Sequence, residues 1–93
     1  MRVIWKYSLS IEREAEYTVL MPRQAEILTV QAQNDNICLW ALVEDDPDYP
    51  TEVRHFSIVV TGSSPVTGSS PEDAKYIGTV QLEGVWHVFE ELQ

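Results

Sequence analysis

Three kinds of side chain in this 93-residue sequence carry chemistry beyond folding: six Lys and Arg, 15 Asp and Glu, and an aromatic set of three Trp, four Tyr and two Phe. Cations hold phosphates and carboxylates through charge-assisted hydrogen bonds, and aromatic faces stack on planar ligands. The cations are Arg2, Lys6, Arg13, Arg23, Arg54 and Lys75, too few and too scattered to form a basic tract. Soft metal ligands are limited to His55, His87 and Cys38, on three different predicted strands and without the local spacing of a zinc site, so no metal is expected. Gly62, Gly68, Gly78 and Gly84 form no phosphate-cradling loop, and no Gly-Lys-Ser/Thr follows any of them. The serines of the Gly-Ser-Ser-Pro segment have no adjacent base and no strand-turn-helix setting, which argues against a nucleophile. Glu44-Asp45-Asp46 and Glu90-Glu91 are acid clusters, but a loop and a chain end leave both members of such pairs ionised in water. No enzyme and no cofactor is expected.

Strands must position these groups. Val3, Trp5, Tyr7 and Leu9 alternate with Ile4, Lys6 and Ser8, the period of a half-buried strand. A second strand runs through Tyr17-Thr18-Val19-Leu20 and is closed by Met21-Pro22-Arg23-Gln24, since proline cannot donate to a ladder. A third spans about Glu26 to Ala32. Gln33-Asn34-Asp35-Asn36 then predicts a hairpin into the continuous apolar run Ile37 to Val43, which is apolar on both faces and therefore central. After the acidic, proline-containing stretch Glu44 to Pro50, a fifth strand covers Glu52 to Val60.

Thr-Gly-Ser-Ser-Pro occurs twice between Thr61 and Pro71, a surface loop lengthened by duplication, and Ser70-Pro71-Glu72-Asp73 predicts one short helical turn. Tyr76 to Leu82 and Val85 to Glu90 alternate around a two-residue connection, Glu83-Gly84, with Val85, His87 and Phe89 as the inward set. Trp5 and Trp40 are expected to serve mainly as core. The expected fold is mainly β: about seven mostly antiparallel strands in a meander-like twisted sheet, sandwich or small barrel, with at most that one helical turn. Residues 1–93 make a single β-rich domain.

A net charge of −9 repels nucleic acid and anionic membranes and favours basic partners. Lone Cys38 rules out an internal disulfide, and no apolar run reaches the roughly 18–20 residues of a membrane span. Lys6 interrupts any signal-peptide core, so a cytosolic protein is expected.

The segments Ile4-Trp5-Lys6-Tyr7, Met21-Pro22-Arg23-Gln24-Ala25-Glu26-Ile27-Leu28, Cys38-Leu39-Trp40-Ala41-Leu42-Val43, Tyr76-Ile77-Gly78-Thr79-Val80-Gln81 and His87-Val88-Phe89-Glu90 follow one another in an order that resembles a family of small uncharacterised proteins of tailed bacteriophages. The doubled Thr-Gly-Ser-Ser-Pro loop departs from that pattern, where relatives carry a shorter Gly-containing connection. The resemblance implies a phage accessory protein acting in the host bacterial cytoplasm against antiphage immunity. Two modes of action suit a chain without catalytic residues. One is a sponge that sequesters a nucleotide-derived immune signal. The other is an acidic protein that binds a host defence protein directly, with imitation of nucleic acid as one route.

The sponge is narrowly preferred, because aromatics alternating with polar residues near strand ends suit a pocket. Its expected ligand-binding residues are Arg23, Arg54 and Lys75 for phosphates, Tyr76 and Trp86 for base stacking, and His87 as a ring donor. The apolar surface left over by so small a core points to a homo-oligomer, with Trp86 and Phe89 as contacts. Direct nucleic-acid or membrane binding is not expected.

Overall fold

The alternating pattern of the sequence is realised in a computed structural model that describes residues 1–9, 16–62 and 74–91. Among these residues seven strands form: β1 Arg2–Leu9, β2 Glu16–Pro22, β3 Glu26–Gln33, β4 Asn36–Glu44, β5 Thr51–Val60, β6 Ala74–Gln81 and β7 Val85–Glu91. The helical turn expected at Ser70 to Asp73, and most of the doubled loop, lie outside the described residues, as does Arg13. Among the described residues there is no helix, and therefore none long and apolar enough to cross a membrane.

All ladders are antiparallel, in two sheets ordered β1-β4-β3 and β2-β5-β7-β6, and they do not close into a barrel. Only β3–β4 and β6–β7 are hairpins between sequence neighbours, so the meander expectation is corrected. Between β1 and β2, β2 and β3, and β4 and β5 the chain passes from one sheet to the other. The reason is burial: each sheet has one strongly apolar face, and two such faces satisfy each other best when stacked.

The β4 strand is central to its sheet, as its two-faced apolar run predicts. Its inner residues Ile37, Leu39, Ala41 and Val43 join Leu9, Met21, Val30, Phe56, Ile58, Val80 and Val88 in the core. On the outer face Cys38 is buried while Trp40 and Leu42 are half-buried. The Lys6 ammonium donates to Gln33 Oε1 at 2.6 Å, linking β1 to β3 across this face. Trp5 points to the inner face but remains 46% exposed, because β1 is an edge strand that the opposite sheet covers incompletely. Neither Trp5 nor Trp40 is thus a core residue in the expected sense.

Both hairpin tips use left-handed backbone. Asn34 and Asp35 have φ of 51° and 64°, the two positive values of a type I′ turn, as the Asn-Asp pair predicts. At the other tip the last ladder pair is Gln81–Val85, so the connection is Leu82-Glu83-Gly84, three residues rather than two. Leu82 leaves the ladder to pack on the core, and its carbonyl accepts the Trp86 indole N–H at 2.8 Å.

Candidate functional site

The sheets approach most closely where β3 passes β6, both of them edge strands. Gly78 makes this possible: a Cβ there would lie 2.9 Å from Val30 Cγ1, closer than packed carbons allow. Each strand also carries a bulge, β3 at Leu28 and β6 at Ile77, where one extra residue bends the edge. A cleft of about 300 Å³ opens beside this contact, with Gln24 to Leu28 on one side, Lys75 to Ile77 on the other, and Arg54 and Glu90 between them.

Arg54 and Glu90 stand on neighbouring strands on the same inward face, a diagonal pair. The guanidinium donates from Nε to Glu90 Oε2 at 2.5 Å and from Nη2 to Oε1 at 2.9 Å, a bidentate fork. Its Nη1 donates to the Ala25 carbonyl at 2.6 Å, tying β5 to the β2–β3 turn where the chain crosses to the other sheet. Both side chains are largely shielded, at 16% and 11% exposure. The hydrogen bonds it donates to Glu90 hold the Arg54 guanidinium above its ordinary, already high pKa, so it stays charged throughout the accessible pH range. The sequence pattern predicts Glu90 to be half of a solvated acid pair. It is instead buried, because it follows Val88 on the inward face of β7.

On the outer face of the four-stranded sheet lies a shallower hollow of about 220 Å³, formed by Val59 to Gly62, Tyr76, His87 and Phe89. The Tyr76 and Phe89 rings meet edge-on with centroids 5.1 Å apart, and Tyr76 and His87 are tilted at 5.9 Å. His87 has polar partners at both ring nitrogens: the Tyr76 hydroxyl lies 2.8 Å from Nδ1 and Thr61 Oγ1 2.7 Å from Nε2. Both ring nitrogens are therefore engaged within the protein. The face expected of His87 is corrected, since Trp86, Val88 and Glu90 point inward while His87 and Phe89 point outward.

Of the six residues singled out in the sequence, the fold brings four together along β6. Arg54, Lys75 and Tyr76 line the cleft, and Tyr76 continues into the hollow with His87. Trp86 lies apart, in a notch with Asp35, Leu82 and Glu83 at the hairpin tips, its ring packed against the core. Arg23 sits at the exposed β2–β3 turn in a further notch with Arg2 and Glu44. Glu90, Thr61 and Thr79 were missed, because only cross-strand register puts them beside the others. Among the described residues no group of three or more His, Cys, Asp and Glu is placed to hold a metal ion.

The residues of both concavities fall within a match to one family model, a domain of unknown function (DUF7352), which extends over residues 1–93. The chain belongs to the DUF7352 family. The match spans the chain described here from β1 to β7, so the cleft and the hollow are both built from DUF7352 sequence. Comparison with curated proteins and with solved structures yields no match.

Proposed function

We propose that the protein is a non-enzymatic phage accessory protein that counteracts antiphage immunity in the host cytoplasm by sequestering a nucleotide-derived signal held over the edge of β6. The observation that carries this reading is the position of Tyr76, which lines the cleft and the hollow together and is 48% exposed between them. A phosphate in the cleft meets Lys75 and the two guanidinium N–H groups of Arg54 that no acceptor among the described residues takes. A base in the hollow packs against the Tyr76 and Phe89 rings, and stacking of this kind contributes about 1–3 kcal/mol.

Lys75 and Arg54 are matched in the cleft by Glu26 and Glu90, so affinity depends on directed donors rather than on a positive field. A second protomer supplies further cations, which links this reading to a homo-oligomer. Isothermal titration calorimetry with ADP-ribose and with cyclic dinucleotides tests it. The wild type should bind at least one of them and return it intact by mass spectrometry. Lys75→Ala should weaken binding about tenfold at unchanged Tm, because Lys75 is exposed. If no nucleotide binds, the sponge reading fails; if the nucleotide returns cleaved, the protein is an enzyme.

One observation favours direct inhibition of a host defence protein as the second reading. Leu20 and Val53 face each other across β2 and β5 at 62% and 55% exposure, an apolar pair at an open sheet edge of an acidic chain. Apolar contacts within a complementary charged surround are how protein partners are held.

A further inference from the structure

The hydroxyls and imidazole around the hollow form one directed chain, and its direction determines what the hollow offers a ligand. The Thr61 hydroxyl donates to the Val85 carbonyl at 3.2 Å, which leaves its oxygen to accept the proton of His87 Nε2. Nδ1 is then the acceptor, with the Tyr76 hydroxyl at 2.8 Å as its near donor and the Thr79 hydroxyl at 3.3 Å as a longer one. The Tyr76 oxygen in turn accepts from the Thr79 hydroxyl, which lies in close hydrogen-bond contact. This tautomer is assigned from the network, since the opposite one turns the Thr61 proton to Nε2 and leaves the Val85 contact unmade.

Every proton in the chain thus points inward, and the exposed end at Tyr76 and Thr79 presents oxygen lone pairs only. On the sponge reading above, on which this inference rests, we infer that the hollow selects a base carrying an exocyclic amino group, as in adenine, over one carrying a carbonyl there, as in hypoxanthine. An amino group donates to the waiting lone pairs. A carbonyl oxygen faces them as a like partner, and Thr79 can turn its proton outward only by withdrawing it from both Tyr76 and His87 Nδ1. Thr61 and His87 act as positioning residues here, because they orient the chain without themselves contacting the amino group.

Calorimetry of the full chain with ADP-ribose and with its hypoxanthine counterpart, inosine diphosphate ribose, tests the inference. The adenine compound should bind about fivefold tighter, the worth of roughly one hydrogen bond. Tyr76→Phe keeps the ring and removes the acceptor, so the preference should fall below twofold. Thr61→Val removes the acceptor of the Nε2 proton and should reduce the preference at unchanged Tm, which a merely structural role for Thr61 does not explain. Equal binding of the two compounds by the wild type, or tighter binding of the hypoxanthine compound, overturns the inference while leaving the sponge intact. Binding of neither compound, nor of any cyclic dinucleotide, overturns both.

Discussion

Arg54 holds the cleft together and is partly withheld from any ligand by the same bonds. The Glu90 fork and the Ala25 carbonyl fix the guanidinium, so the spare N–H groups are preorganised but face a carboxylate as well as a bound phosphate. Glu90→Gln is therefore expected to move two quantities in opposite directions. Stability should fall by about 2–3 kcal/mol, less than the roughly 3–5 kcal/mol of a fully buried pair, because the cleft admits water. Affinity for a phosphorylated ligand should rise severalfold, since a neutral amide no longer opposes the phosphate. Chemical denaturation and calorimetry on the same variant check the two signs, and a parallel fall in both shows that Arg54 serves folding alone. The residue types at this site were legible in the sequence, Arg54, Lys75, Tyr76 and His87 among them. The partner of Arg54 was not, because a carboxylate near a chain end reads as solvated until the strand face carrying it is known.

At the scale of elements, the strands were readable nearly to their ends, since a period of two and β-branched residues leave little choice of conformation. The faces of β7 were not readable. Trp86, Val88 and Glu90 point inward while His87 and Phe89 point outward, and both sets contain large apolar residues. Bulges at Leu28 and Ile77 also shift register inside otherwise regular runs, for which the sequence carries no distinctive signal. Gly78 is the residue through which β3 and β6 come close. Gly78→Ala places a methyl 2.9 Å from Val30 Cγ1, and Val30 is buried and stiff about χ1. The variant should lose about 1–2 kcal/mol, a fall in Tm of several degrees, and should widen the cleft. A Tm equal to wild type shows that the sheets part there without cost.

For the whole molecule, a net charge of −9 opposes self-association, while an exposed Ile4, half-exposed Trp5, Leu20, Val53 and Tyr76 leave apolar surface on several edges. Homo-oligomerisation is proposed with these edge residues beside Phe89 and the half-buried Trp86 as contacts. Light scattering at micromolar concentration should give at least a dimer mass, with the dimer favoured as salt screens the acidic charge. A monomer mass under both low and high salt contradicts the oligomer and requires each chain to bind its ligand unaided.

Composition and periodicity alone determined that this chain is acidic, β-rich and centred on Ile37 to Val43, because those properties depend on residues close in sequence. Which strands share a sheet, and which side chains share a cavity, depended on pairings across 36 residues between Arg54 and Glu90 and 26 between Thr61 and His87. Local pattern carries no record of such pairings. Two apolar faces burying each other set β3 beside β6 over the cleft, while the β5-β7-β6 register brought Lys75 and Tyr76 toward Arg54 and placed His87 among the hydroxyls of the outer face.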